Sequence, residues 1–513
     1  MHFLDLINMQ AAEQNNSREV KTLDKRDFFA LFILGTLGAV VLIFAVSNSV
    51  SYAYPTGDDY NHYLFAISSP KNLEFLFSGW GKPLFTLSLL IFLLATGQSL
   101  EGARMLNCFL HLSSVLLIYI LARRLSLRWP SAFLAGILVF LAPQNLELSQ
   151  SILTEPLFTV ILLLTFLAYV EKKYQISFVL AGFSLLARSE GLFIIAILFL
   201  THYYQFRSLQ ALKNGVLSIL PPVLVSLMTT LLFSQPLLAF FPPNYGIFQM
   251  YGHGQPLHYI LGTFDALGAP MIFLSLIGIG LWMERNWVSK TGNFTPVIIS
   301  FLAFGLIVVI FHDLIWTLGL FGSWGTLRHL APTAPVFAYF AGYAFQRSCD
   351  YFDGQRWYFN KISSFSLKIP VYAIGFSLVV LASVFWTSYH ANVVTTPTIT
   401  LEVSERVVDW LKTNRPDAIA DSQNLFIYSP VIIALLGLSY PDIPNRMGRL
   451  IDREMLETQL NPGGIVVWDS HHGPLEGETP LSYFDNQFQE LFMWNRDSEG
   501  NIVNFSIYVF LKL

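Results

Sequence analysis

The sequence predicts an all-α polytopic membrane domain followed by a small soluble α/β domain. Three observations predict it. Of the 513 residues, 54% are hydrophobic and 12% charged, giving a mean hydropathy of +0.52; a soluble domain carries about 25% charged residues. Long apolar runs recur from Phe28 to about residue 388. Beyond them the composition becomes that of an ordinary soluble domain. The net charge of -4 leaves no electrostatic footprint for nucleic acid. Cys108 and Cys349 lie in or beside apolar runs, which argues against a disulfide framework or a thiolate metal site.

Residues 1–27 read as a cytoplasmic N-terminal segment carrying Arg18, Lys21, Lys25 and Arg26. The segment is as long as a whole signal peptide, and it fits a retained signal-anchor better than a cleaved leader. A transmembrane domain over 28–388 follows, with about eleven spans: Phe28–Val50, Met105–Leu121, Pro130–Ala142, Pro156–Tyr169, Ile176–Ala187, Gly191–Tyr204, Val216–Phe233, Ala269–Met283, Pro296–Ile315, Pro332–Phe345 and Val371–Ser388. The stretch Pro83–Thr96 is short for a span and reads as a juxtamembrane helix. Were it to cross, Arg123, Arg124 and Arg128 would fall outside, against the positive-inside tendency.

With Pro83–Thr96 uncrossed, the later loops fall into register. Arg123, Arg124, Arg128, Lys172, Lys173, Arg207, Lys213, Arg285, Lys290, Arg347, Arg356, Lys361 and Lys368 all lie inside. Lys71, Lys82, Arg104, Arg188 and Arg328 are left outside. Lys71 reads as a solvated loop residue. The other four abut span ends, and an anionic ligand at the outer surface is their most economical common cause. Residues 389–513 read as an extracytoplasmic α/β domain, with helical spacing at Val403, Val407 and Leu411 and strands over Leu425–Tyr428, Ile465–Trp468 and Ile502–Leu511.

The chemistry is sought among charges beside the membrane, where ionisable groups are costly and usually functional. Asp58 and Asp59, in Gly57-Asp58-Asp59-Tyr60, are the candidate general base; the alternative is a helix cap. Neighbouring carboxylates raise each other's pKa, which suits a base near neutral pH. Glu155, in Leu153-Thr154-Glu155-Pro156, stands at the mouth of a span as a ligand contact or a partner of the aspartates. The turn Ala187-Arg188-Ser189-Glu190-Gly191 aims Arg188 at a phosphate with Glu190 orienting it, or makes a plain salt bridge. Gly191 permits the tight reversal.

Lys82, in Trp80-Gly81-Lys82-Pro83, supplies a compact charge for a phosphate oxygen. Arg104 reads as an interfacial anchor. Arg328, in Leu327-Arg328-His329-Leu330, can fork onto phosphate, while His329 reads as a packed histidine or a ligand. The loop Ser234–Gly268 reads as a functional lid or an unstructured segment, with Tyr245, Tyr251, His253 and His258 as sugar or metal contacts. Asp469-Ser470-His471-His472-Gly473 follows a strand without completing a metal set. Tyr60, Glu190, Tyr245, His253 and His329 make up the secondary set, facing sugar or acceptor.

Taken in order, these motifs resemble the GT-C membrane glycosyltransferases, in the branch of protein mannosyltransferases and aminoarabinose transferases. The resemblance covers most of 28–345. It rests on Asp58-Asp59, Gly81-Lys82-Pro83-Leu84, Ala103-Arg104-Met105-Leu106, Thr154-Glu155-Pro156-Leu157, Arg188-Ser189-Glu190-Gly191 and Arg328-His329-Leu330-Ala331-Pro332. The family's acidic motif is commonly Asp-Glu where this chain has Asp-Asp, and its lysine motif has two prolines where this chain has Pro83 alone.

The resemblance implies a GT-C fold and transfer of a sugar from a polyprenyl-phosphate donor to a glycan, lipid or protein acceptor. The transfer would take place at the outer face of a plasma membrane, among membrane lipids. Asp58 would be the base, and Lys82, Arg188 and Arg328 would sit at the donor phosphate. No cofactor is demanded, because cationic side chains can neutralise the leaving phosphate; a divalent metal is left open. The alternatives are a polysaccharide polymerase or ligase and a lipid-linked sugar flippase. His312-Asp313, inside a span, is the feature leaning to the flippase.

Overall fold

Among the described residues, each of the eleven apolar runs is largely helical. The computed structural model describes residues 23–48, 57–234, 252–288, 296–320, 324–359, 371–390, 398–444, 451, 453–475, 477–497 and 500–513. The helices are Lys25–Asn48, Leu100–Arg124, Trp129–Leu141, Glu155–Val170, Tyr174–Ala187, Gly191–Phe206, the pair Leu209–Leu217 and Leu220–Phe233, Ala269–Met283, Pro296–Leu318, Ala334–Phe359 and Val371–His390. By length and composition four of the described helices can cross a membrane alone, or up to seven spans result if each bent pair counts as one. Glu155–Val170, Tyr174–Ala187 and Gly191–Phe206 are apolar but shorter. Pro83–Thr96 is a 14-residue helix with its proline in the first turn, where the missing N–H costs nothing.

Two connections carry more structure than the sequence reading gave them. Helix Pro143–Ser149 turns 62° from Trp129–Leu141. Helix His258–Leu267 occupies the end of the supposed unstructured loop and meets the next helix at 112°. Asp313 fixes its start, accepting the backbone N–H groups of Leu257 at 3.0 Å and Tyr259 at 2.9 Å. Its apolar signal is short, and the carboxylate that caps it is more than fifty residues away in sequence.

The loops read as inside are tied together at one end of the bundle. Arg123 Nε lies 2.5 Å from Asp27 Oδ1, Arg124 3.5 Å from Glu171, Lys173 2.9 Å from Glu171, and Arg128 2.6 Å from Asp350.

The C-terminal residues form a four-stranded sheet of β1 (Leu425–Ile427), β2 (Ile465–Asp469), β3 (Phe488–Arg496) and β4 (Ile502–Lys512), in the order β1-β2-β4-β3. β1 and β2 are parallel, with Leu425 beside Ile465, and the other pairs are antiparallel. Helix Ile399–Asn414 covers the sheet through buried Val403, Val407 and Leu411. β3 escaped the sequence reading because it is a largely exposed edge strand without apolar alternation.

Helix Asp58–Ser68 is where the sheet domain docks. Tyr440 stacks on Phe75 at 5.6 Å and meets Phe65 edge-on. Its hydroxyl donates to Asn61 Oδ1, and its backbone N–H donates to Ser68 Oγ at 3.2 Å. Lys71 is not a free loop lysine: its Nζ lies 2.7 Å from Asp442 Oδ1 and 3.0 Å from Ser439 Oγ. Pro430 and Val431 pack directly under Gly57.

Candidate active site

Gly57 starts the helix that carries the first aspartates. Its φ of 68° is left-handed, a conformation glycine adopts without strain, and no side chain caps the helix. The aspartates are therefore first-turn residues favoured by the helix dipole rather than caps. Asp58 is partly exposed, and its Oδ2 accepts from Arg328 Nη2 at 2.6 Å. Asp59, about 100° further round the helix, is fully buried, and its Oδ1 accepts the backbone N–H of Tyr60 at 3.0 Å. Tyr60 is buried with Leu401 and Val431, and its hydroxyl hydrogen-bonds Arg104. The two carboxylates thus serve different surroundings.

Arg188 lies between helices Tyr174–Ala187 and Gly191–Phe206, which reverse within three residues. The reversal needs glycine at 191: a Cβ there would meet the Leu185 backbone nitrogen at 2.4 Å. Arg188 then reaches four partners. Its Nη1 lies 2.6 Å from Glu155 Oε1 and donates to Thr154 Oγ1 at 3.0 Å. Its Nη2 donates to Glu190 Oε1 at 2.7 Å and lies 2.7 Å from His329 Nδ1. Arg328 Nε approaches Glu155 Oε1 at 3.5 Å, so Glu155 bridges both arginines and joins Asp58 to the same network. Glu155 also lines a small polar cavity with His111, Ser114 and Asn145.

His329 stacks on His312 with ring centroids 4.6 Å apart and nearly parallel. Burial works against charge on Glu190, but Arg188 and His312 hold its carboxyl well below the usual range. Burial, reinforced by His312 and both arginines, holds His329 well below the usual histidine range, so it stays neutral. Glu190, His312 and His329 each offer a ligand atom, all within 4.8 Å of one another, a set that suits a cation such as zinc. The guanidinium of Arg188 already binds Glu190 and His329, so a cation would have to displace it.

Lys82 sits directly before Pro83 with a φ of 60°. A non-glycine residue held there is strained, and such strain concentrates at functional sites. Burial, and then the nearby Arg188, push its amine down to about 8.

His62 was missed by the sequence reading. It follows Asp58 by four positions and so shares its helix face. Its ring stacks on Trp80 at 4.9 Å and meets Phe85 edge-on. The ring is buried, and Nδ1 has no hydrogen-bond partner among the described residues. Burial pushes His62 down to about 3, with Asp58 opposing and Arg328, Lys82 and Arg188 reinforcing the shift. The signal available in the sequence was the Asp58–His62 spacing; the partners Trp80 and Arg328 come from elsewhere in the chain.

The structure therefore gathers Asp58, Glu155, Arg188, Glu190, Arg328 and His329, with Lys82 and His62 within electrostatic reach. Asp59 and Tyr60 stand beside this group, toward Arg104 and the sheet domain. His253 is exposed and contacts none of these residues among the described ones, and Tyr245 and Tyr251 lie outside the described residues. Three carboxylates face three cations, and one carboxylate–guanidinium pair is accessible from the surface. Such a site can accept a proton at Asp58 and receive an anion at the cations.

Residues 92–232 match the model of the dolichyl-phosphate-mannose-protein mannosyltransferase family. No curated protein matches the chain by sequence. Among solved structures, ArnT from Cupriavidus metallidurans bound to undecaprenyl phosphate aligns with a TM-score of 0.60 and 11% identity, over 93% of this chain and 97% of that one. The same protein in the apo state gives 0.58 and 10%, over 92% and 97%. The Archaeoglobus fulgidus oligosaccharyltransferase tethered with an acceptor peptide gives 0.51 and 14%, over 91% and 73%. The chain has the GT-C fold, and it is a multi-pass membrane protein.

Proposed function

We propose that the chain is a membrane glycosyltransferase that moves a sugar from a polyprenyl-phosphate donor to an acceptor hydroxyl at the extracytoplasmic face. The observation that carries this reading is the Asp58–Arg328 pair, joined through Glu155 to Arg188 at one surface of the bundle. The undecaprenyl phosphate held by ArnT supports a lipid-phosphate donor here. The family match over 92–232 supports sugar transfer.

In this reading the donor phosphate meets Arg328, Arg188 and Lys82. Arg328 turns from Asp58 to the phosphate, which frees the carboxylate to act as base. The acceptor hydroxyl gives its proton to Asp58 while its oxygen bonds to the anomeric carbon. The bond from that carbon to the phosphate oxygen breaks, and the electron pair leaves with the phosphate. Charge grows on the phosphate as the bond breaks, so the cations stabilise the transition state more than the bound donor. Base and clamp on opposite sides of the anomeric carbon give a single displacement with inversion. No step requires a metal. The residues 389–513 form the extracytoplasmic domain in this reading, and residues 1–27 lie in the cytoplasm. A flippase is not favoured, because Asp313 is engaged in holding a helix start and His312 in stacking on His329.

The test is transfer by purified protein in liposomes, from radiolabelled polyprenyl-phosphate sugars to a crude membrane acceptor fraction. Wild type is expected to transfer and Asp58→Asn to bind donor without transfer. Full transfer by Asp58→Asn would remove the base assignment, and labelled lipid crossing the bilayer without transfer would favour the flippase.

A further inference from the structure

The small polar cavity beside Glu155 takes no part in the transfer described above. Three helices line it. Helix Leu100–Arg124 contributes His111 and Ser114, three positions apart and so on one face. Helix Pro143–Ser149 contributes Asn145, and helix Glu155–Val170 contributes Glu155 and Thr159, four positions apart. The space open to the centre of a water molecule is about 10 Å³, room for about one.

Two of these side chains are incompletely satisfied. Glu155 is 1% exposed and spends Oε1 on Arg188 and Arg328. Its Oε2 is buried without a hydrogen-bond partner among the described residues, and so is Nε2 of His111, a residue 3% exposed. Unpaired buried polar atoms are costly, and native proteins pair them with protein or ordered water. The neighbouring hydroxyls cannot donate to them: Ser114 donates to Leu110 O at 3.0 Å and Thr159 to Glu155 O at 2.8 Å. Asn145 Nδ2 donates one hydrogen to Val139 O at 3.4 Å and keeps a second for an occupant of the cavity. A carboxylate oxygen only accepts, so the occupant is not an anion and has a hydrogen to give. An imidazole nitrogen donates or accepts according to its tautomer. Water gives a hydrogen to Oε2 and serves Nε2 in either tautomer.

We infer that the cavity binds a single water that ties Glu155 Oε2 to His111 Nε2, making His111 a positioning residue for the carboxylate that holds both arginines. With Oε2 tethered, the carboxylate does not turn, and Oε1 stays the oxygen that Arg188 and Arg328 share. The two guanidinium groups are then set out for a phosphate before one arrives, which is how a supporting layer sharpens a binding site. The role of the arginines in donor binding rests on the transferase reading; the water site itself does not.

Structures of the full chain and of His111→Phe, at a resolution that shows waters, test the site. One peak within hydrogen-bonding distance of both atoms is expected in wild type. None is expected in His111→Phe, which keeps the stack on Phe140 but no ring nitrogen. Equilibrium binding of undecaprenyl phosphate tests the positioning. His111→Phe is expected to weaken it about tenfold, as for loss of a hydrogen bond to a charged group. His111→Gln, which can again hold the water, should recover most of that. A packing role predicts the reverse order, because phenylalanine keeps the stack and glutamine does not; thermal unfolding of each variant checks the fold. No peak, a peak with the anomalous signal of a metal, or equal affinity in wild type and His111→Phe would each overturn the proposal. So would weaker binding by His111→Gln than by His111→Phe. The peak is read without donor, so its failure is distinct from failure of wild type to bind undecaprenyl phosphate. That second failure would sink the transferase reading and the positioning role with it.

Discussion

Arg328 and Asp58 form a 2.6 Å ion pair in which the candidate base is held by a candidate donor-binding residue. In the proposed transfer, the pairing would keep the carboxylate engaged until a phosphate arrived to take the guanidinium. On that proposal, binding of donor and unmasking of the base would be one event.

Asp58→Asn is expected to lower transfer by about 10²- to 10⁴-fold, the range of general-base contributions. The amide still accepts a hydrogen bond from Arg328, so donor binding should survive. Single-turnover transfer measured alongside equilibrium binding of undecaprenyl phosphate checks both.

Arg328→Ala is expected to cost about 10²- to 10³-fold in transfer, as for loss of one donor to a developing oxyanion. Unlike Asp58→Asn, it should also weaken binding of undecaprenyl phosphate. Equal phosphate binding by wild type and variant would remove Arg328 from the donor site.

Donor affinity is expected to fall as pH rises through about 8, where Lys82 loses its proton. The folded-state pKa is depressed, so between about 8 and the usual 10.5 the unfolded chain binds the extra proton. Stability contributed by this lysine therefore rises with pH over that window, opposite to affinity. Phosphate binding and thermal unfolding followed over the same pH series separate the two trends. Lys82→Arg should keep the affinity flat.

Chelating agents are expected to leave transfer and thermal stability unchanged, because Arg188 occupies Glu190 and His329. Arg188→Ala should destabilise the fold by about 3–5 kcal/mol, since it strips a buried partner from Glu155 and Glu190. That variant is the one in which added zinc should restore stability, read as a shift in Tm. Loss of wild-type transfer on chelation would instead make the cluster a metal centre.

His62→Phe is expected to preserve stability, because the stack on Trp80 and the edge contact with Phe85 are kept. It should lower kcat more than it raises KM for donor if the ring nitrogen contacts the leaving phosphate. Unchanged kinetics would make His62 a packing residue.

Much of this site was legible because its parts are charges in an apolar chain. Arg188, Glu190, Glu155 and Arg328 stood out individually as costly residues at span ends, and the structure places them in one network. What pairs with what was not legible: Arg188 meets His329 across 141 residues, and Arg328 meets Asp58 across 270. Residue type alone did not separate Asp59 from Asp58, which only the motif resemblance singled out; one helical step turns Asp59 into the protein. His62 is marked in sequence by its spacing from Asp58 alone, a weak signal because a lone histidine on a helix is usually core. In the fold, the apolar runs announced their helices through length and hydropathy, whereas helix His258–Leu267 depends on a remote cap. The edge strand β3 lacks the alternation that marks a half-buried strand.

The backbone of Lys82 sets function against robustness. Its φ of 60° falls in the range that favours glycine over a residue with a Cβ, and relief of such strain is worth about 1–3 kcal/mol. Lys82→Gly should therefore raise the melting temperature while weakening donor binding. A screen for heat tolerance alone would discard this lysine early, and the hardened protein it returned would be a poor catalyst.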